Sequence, residues 1–276
     1  MRKVYAIKVV IMGQNNFMGL EDPGIAIITG ASSGLGDVFA RRLSDQGFDL
    51  ILTARRKNRL ENLAKELREK NSTNVEIMVT DLAKMNDIKR LESKIKGIDN
   101  LDFLCSNAGV GTTDNYLSPQ ANPDTFIDMV ILHCKAPMLH MHAALPKMIE
   151  RNRGSIYNIS SIASLILHGS NEPMYPATKA FLSVLTEMTQ LKLNYLKSNV
   201  KVKSICPGYT RTEMTAFGQT RPAPLGEWMS AEECVDIALD SYHTKDTVVI
   251  TGEIFVDEVK RWRDVARKKP GRYFYW

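Results

Sequence analysis

The 276 residues, 44% hydrophobic and 24% charged, suffice for one large domain or two small ones with a full-sized core, and they exclude a disordered, fibrous or repetitive chain. The net charge is +5, but positions 257–276 hold seven Lys/Arg against three acids and so carry +4 of it; the nearly neutral body argues against a nucleic-acid-binding face. No apolar run is long enough to cross a bilayer, the short apolar stretch 4–12 is interrupted by Lys8 and lacks a signal-peptide cleavage site, and Cys105, Cys134, Cys206 and Cys234 form no CxxC pair; together these read as a cytoplasmic protein with buried, reduced thiols.

Residues 1–23 read as an N-terminal extension, an extra strand or a loose arm, with Met18 an alternative start. From Gly24 onward strands and helices alternate. Short continuous apolar runs at 24–29, 48–53, 75–80, 101–105, 155–160, 200–206 and 247–251 read as strands. Segments 35–46, 56–70, 83–96, 124–150, 175–197 and 231–241 read as helices, the fourth as one long helix. Apolar runs without polar alternation fit strands buried on both faces. Alternation with right-handed crossovers then predicts an α/β fold, a Rossmann-type doubly wound seven-stranded parallel sheet with helices on both faces. The expected layout is a single domain over 24–256, with a Gly- and Pro-containing segment at about 213–230 and a basic, aromatic tail over 257–276. Ligands in such folds bind beyond the C-terminal ends of the strands, where the motifs fall.

The first strand runs into Thr29-Gly30-Ala31-Ser32-Ser33-Gly34-Leu35-Gly36. A glycine-rich turn feeding a helix N-terminus lets the backbone approach a pyrophosphate and offers it free N–H groups. The spacing is not the commoner Gly-x-Gly-x-x-Gly, and a purely structural loop is the competing reading. The second strand ends in Arg55-Arg56, where an NAD-binding fold presents a carboxylate to the ribose 2′-hydroxyl. A guanidinium suits a 2′-phosphate, which points to NADP(H); the competing reading is two solvated charges at a helix start. Tyr175 and Lys179 stand one helical turn apart on one face, and a nearby ammonium lowers a phenol's pKa toward the working range of an acid–base group.

TGASSGLG (29–36), the Asp81-Leu82 pair, SNAG (106–109), NISS (158–161), YPATK (175–179) and PGYTRT (207–212) stand in the order of the short-chain dehydrogenase/reductase family. The chain resembles that family over about residues 24–252, and its NADP(H)-preferring branch at Arg55. The resemblance implies an oxidoreductase that interconverts a small-molecule carbonyl and alcohol by hydride transfer. Tyr175 would pass a proton to or from the reacting oxygen, Lys179 would tune it and bond the nicotinamide ribose, and Ser161 would bond the substrate oxygen. Gly30, Ser32, Ser33, Gly34, Leu35 and Gly36 would hold the pyrophosphate, and Arg55 and Arg56 the 2′-phosphate. Asp81, with Leu82 beside it, would approach the adenine, and Asn107, Ala108 and Gly109 would line the central cleft. Pro207, Gly208, Thr210 and Thr212 would contact the nicotinamide end, and 213–230 would cover the substrate as a lid or be a plain surface loop. A homodimer or homotetramer is expected, with no nucleic-acid partner and no integral membrane association.

One position departs from the family, which places an Asn in the long helix to complete a proton relay through water. The alignment puts His133 there. Either the imidazole holds the relay water, since it can donate and accept, or the relay is lost. His168 would border the substrate pocket or stand exposed on a loop. His140 and His142 lack clustered Cys or carboxylates, so no metal site is expected. The competing functional class is a non-catalytic NADP(H)-binding regulator on the same fold, against which the intact Ser161, Tyr175 and Lys179 argue. The tail over 260–276 reads as packing on a neighbouring subunit or as a contact for an acidic partner or membrane surface.

Overall fold

A computed structural model describes residues 16–111, 114–166, 172–218, 227–252, 255–257 and 259. Val-, Ile- and Leu-rich segments form seven parallel strands: β1 (Ile25–Thr29), β2 (Asp49–Ala54), β3 (Val75–Val79), β4 (Leu101–Ser106), β5 (Ser155–Ile159), β6 (Lys201–Pro207) and β7 (Val248–Thr251). They pair in the order β3-β2-β1-β4-β5-β6-β7. Successive side chains leave a strand on opposite faces, so Ile27 and Ile28 enter two different cores. On one face α1 (Gly34–Asp45), α2 (Lys57–Asn71) and α7 (Ala231–Asp240) bury Phe39, Leu60 and Val235 against Ile28, Leu50 and Phe103. On the other, α3 (Met85–Lys96), α5 (Ala136–Glu150) and α6 (Met174–Tyr195) bury Leu91, Met148 and Leu193 against Ile27, Leu104 and Ile156. Each such side chain contributes about 1.5–3 kcal/mol on leaving water. The winding reverses between β1 and β4, and that reversal opens a crevice at the C-terminal ends of the strands. This is the doubly wound sheet expected from the alternating pattern.

The expected single helix over 124–150 is broken into α4 (Pro123–Val130), a π turn (Ile131–Lys135) and α5. Pro137 is the cause: it has no N–H to return to the His133 carbonyl four residues back, so the α ladder cannot continue there. The wider turn is closed by the Ala136 N–H to the Ile131 carbonyl.

The described part of the expected extension is packed rather than loose. Phe17 is fully buried, edge-on to Phe103, Tyr157 and Tyr242. The entry to β1 is locked by Asp102, whose buried carboxylate accepts from the Gly24 N–H at 2.8 Å and pairs with Arg151 and Arg153. Past β7, Phe255 and Val259 pack on Ile162 and Ile166, so the core continues into the stretch drawn as tail. Residues 260–276, His168 and the centre of the expected lid (219–226) lie outside the described residues. Among the described residues no helix is long and apolar enough to cross a membrane.

Candidate active site

At the crevice the loop after β1 is bonded to the loop after β4. Thr29 Oγ1 accepts from the Asn107 and Ala108 N–H groups, both at 2.9 Å, and donates to the Cys105 carbonyl. Asn107 Nδ2 returns the contact to the Thr29 and Gly30 carbonyls at 2.9 and 3.3 Å. Gly30 has φ +70°, and a Cβ there would lie 2.9 Å from Ala108 Cα and Asn107 Nδ2, so only glycine serves. Gly34, with φ +58°, opens α1, and no side chain caps that helix, which leaves its first N–H groups for an anion. Ser32, Ser33 and Leu35 stand half-buried around this turn, while Gly36 is buried against Gly30. A turn with no room for a Cβ, over an uncapped helix N-terminus, fits the pyrophosphate of a dinucleotide.

The two arginines after β2 differ. Arg56 reaches back to the glycine turn, bonding Ser32 Oγ at 3.0 Å and Ser33 Oγ at 2.6 Å, and pairs with Glu213 at 2.7 Å. Arg55, on which the expectation of a 2′-phosphate rested most, is exposed and has no hydrogen-bond or ion-pair partner among the described residues. Arg59 also pairs with Glu213, and the two guanidiniums hold that carboxyl down at about 2. Asp81 is half-buried and accepts from the Ala83 N–H, while Leu82 is buried behind it. At the other end of the crevice Pro207 ends β6, Gly208 and Thr210 follow it, and Thr212 lies against Gly34. The base of the expected lid is pinned: Met229 exchanges backbone bonds with Tyr209 and Arg211.

Ser161 follows β5, while Tyr175 and Lys179 lie in the first turns of α6. The Ser161 hydroxyl accepts from the Ala163 N–H at 3.1 Å and stands near enough to the Tyr175 phenol to pull its pKa down. Lys179 is buried; its Nζ donates to the Ile159 carbonyl at 2.8 Å and lies 5.6 Å from the Tyr175 ring centre, and its own carbonyl accepts from Ser160 Oγ at 2.9 Å. Burial lowers the Lys179 ammonium to about 8. The Tyr175 phenol is pushed above its ordinary value, because burial outweighs the Ser161 hydroxyl that pulls it down. Lys179, with its Nζ 5.6 Å from the ring centre, is not among the groups that set this shift.

His133 lies on the π turn, buried at 1% exposure. Its Nε2 accepts from the Val110 N–H at 3.0 Å and its Nδ1 meets Thr178 Oγ1 at 2.9 Å. Burial lowers its pKa to about 2, so it stays neutral. Both ring nitrogens are thus engaged by protein groups. A cavity of about 10 Å³ does lie beside it, lined by Ser106, His133, His140, Pro137 and Lys179, among others. It is the size of one water, and the Ser106 hydroxyl is buried without a partner among the described residues. His140 is turned to the Ile88 carbonyl at 3.2 Å and joins α5 to α3; His142 is exposed.

The motif reading passed over Thr29, Thr178 and Glu213. Thr29 and Thr178 stand inside quoted motifs and could have been singled out as the hydroxyls there; Glu213 carries no local signal, since its partners are 154 and 157 residues away.

Comparison with known proteins agrees with this geometry. The family profile described as short chain dehydrogenase matches residues 24–222. An uncharacterised oxidoreductase of Staphylococcus aureus is 32% identical over 193 residues, 70% of this chain and 80% of that protein. A short-chain dehydrogenase from Sphingobium yanoikuyae, solved in complex with NADPH, is 28% identical with a TM-score of 0.78, covering 92% of this chain and 98% of that one. The bulky-bulky ketone specific alcohol dehydrogenase from Comamonas testosteroni is 27% identical with a TM-score of 0.76, covering 93% and 98%.

Proposed function

We propose, from the premise that the chain belongs to the short-chain dehydrogenase/reductase family, that this oxidoreductase uses NADP(H) to reduce a small-molecule ketone or aldehyde to the alcohol. The observation that carries the reading is buried Lys179 one turn along α6 from Tyr175, its Nζ 5.6 Å from the Tyr175 ring centre, with Ser161 acting on the same phenol. When bound, the nicotinamide supplies the hydride. Tyr175 as a phenol can donate a proton to a developing alkoxide, and a supply of the reduced cofactor sets the direction toward reduction. Ser161 orients the same oxygen. Lys179 has N–H groups left after its bond to Ile159, and a water in the 10 Å³ cavity is the route by which we have it regain a proton.

The cofactor choice rests on Arg55 and Arg56 at the end of β2, with Ser32 and Ser33 beside Arg56. The NADPH held by the Sphingobium yanoikuyae neighbour supports it. The ketone named for the Comamonas testosteroni neighbour supports a carbonyl substrate. Unpaired Cys105, Cys134, Cys206 and Cys234 fit a reducing, cytoplasmic setting. The exposed side chains Phe181, Val184, Met188, Leu191 and Tyr195 line one face of α6 at 3-4 spacing, a self-complementary seam that a second copy would cover, and we assign the chain a homodimer through it.

The test is NADPH oxidation against a panel of ketones, diketones and aldehydes. Tyr175→Phe should abolish turnover and retain NADPH binding by fluorescence, and Arg55→Ala with Arg56→Ala should narrow the preference for NADPH over NADH. Full turnover in Tyr175→Phe would sink the mechanism; tight NADPH binding with no turnover in the parent would leave the regulator reading standing.

A further inference from the structure

We propose that His133 is a positioning residue that acts through Thr178: it ties the Val110 loop to the first turn of α6 and thereby sets where Tyr175 stands. This rests on the reading of Tyr175 as the acid–base group.

The direction of the hydrogen bonds leaves one arrangement. A backbone N–H can only donate, so the Val110 N–H at 3.0 Å requires a lone pair on His133 Nε2. The ring's one proton is then on Nδ1, which donates to Thr178 Oγ1 at 2.9 Å. The Thr178 hydroxyl passes its own hydrogen to the Tyr175 carbonyl at 3.0 Å. Three bonds of one polarity therefore run from the loop after SNAG to the backbone of Tyr175, and such chains polarise one another. His133 also packs edge-on against the Tyr175 ring, centroids 5.7 Å apart at 83°. Both links are interior, His133 being 1% and Thr178 4% exposed.

The chain of bonds also defines the ring's charge. A second proton would fall on Nε2, against the Val110 N–H, and beside Lys179. Neutrality makes His133 a brace and not a proton carrier. Its reach matters as well: a Cβ on Gly109 would lie 3.1 Å from Nε2, so the ring tip sits at the loop that lines the cleft. An asparagine ends one atom short of that tip and cannot span from Val110 to Thr178. The groups that bear on the Tyr175 phenol are Ser161 after β5, Lys179 on α6 and Cys206 on β6, while Glu172 accepts from the Tyr175 N–H. His133 adds no titrating charge to that set.

The test uses His133→Ala, His133→Gln, Thr178→Val and the His133→Ala/Thr178→Val pair. Gln retains an acceptor and a donor; Val removes one hydroxyl and keeps the shape. His133→Ala and Thr178→Val should each lower kcat by about 10- to 100-fold, the scale of an ångström-level misplacement of a catalytic group. The NADPH dissociation constant should stay within about twofold, the pair should be no worse than the worse single variant, and Gln should recover most of the loss. Independently of turnover, ring 15N NMR of the protein without substrate should show His133 protonated on Nδ1 and bare on Nε2, without titration from pH 5 to 9. A His133 midpoint inside that range, additive losses, Gln no better than Ala, or parental kcat in Thr178→Val overturns the proposal. Should His133→Ala not fold, Thr178→Val and the NMR decide alone. Turnover retained in Tyr175→Phe would sink the functional reading instead, and the NMR would still report on the brace.

Discussion

Thr29→Val probes the joint on which the crevice depends. Thr29 is 2% exposed at the end of β1, and its hydroxyl accepts two backbone N–H groups from the loop after β4 while donating to Cys105. Valine keeps the shape and the strand preference, so no cavity forms and only hydrogen bonds are lost. A buried donor left without an acceptor costs about 1–3 kcal/mol. Asn107 and Ala108 are half-buried, so water offsets part of that, and the two orphaned N–H groups together cost about 2–3 kcal/mol. At about 2–4 °C per kcal/mol for a chain of this size, the melting temperature falls by about 4–12 °C. The freed SNAG loop no longer backs the glycine turn, and NADPH affinity falls by roughly tenfold, equivalent to about 1.4 kcal/mol. Circular-dichroism melts and a fluorescence titration with NADPH read both effects, and Thr29→Ser, which keeps the hydroxyl, should lie close to the parent. Parental melting and affinity in Thr29→Val, or a Ser variant worse than the Val variant, would refute the reasoning.

Three further outcomes are expected. Asp102→Asn leaves Arg151 and Arg153 without their buried carboxylate and should cost about 3 kcal/mol in urea unfolding, with specific activity of the folded fraction unchanged because the site is at the opposite ends of the strands. Reduction should be level from about pH 6 to 7.5 and fall above about 8, because Lys179 loses its charge there while Tyr175 is still a phenol and His133, held at about 2, contributes no limb; a limb between pH 6 and 7 would implicate an imidazole and contradict this. Leu191→Asp, on the exposed face of α6, should halve the mass seen by light scattering without changing the far-ultraviolet spectrum; an unchanged mass would remove that helix from the interface.

The order of strands and helices was legible because each strand is a short, mostly apolar segment, even where Glu76, Asp102 or Lys203 interrupts it, and helical segments stand between them, down to the seventh strand at Val248–Thr251. Tyr175, Lys179 and Ser161 were legible as residues but not as a charge state. That the phenol is raised depends on how much water the surrounding chain excludes, which no spacing encodes. The broken helix was half legible: Pro137 stands in plain view, yet a proline is compatible with a kink, an end or a π turn, and only the folded backbone shows the last. Phe17 looked like part of an extension because an isolated aromatic has no periodicity; it is core because Phe48, Phe103, Tyr157 and Tyr242 close around it.

By itself the chain determined which backbone positions must be glycine, which segments can be buried on two faces and which side chains can exchange a proton, since these follow from local sterics, periodicity and functional-group chemistry. Only the tertiary structure decided which arginine reaches the glycine turn, what the two nitrogens of His133 bond and how the Tyr175 phenol is poised. Those properties belong to pairs of groups brought together from distant parts of the chain, Arg56 with Ser32 and Glu213, His133 with Val110 and Thr178. Their energies depend on distance, burial and hydrogen-bond polarity, which exist only after folding.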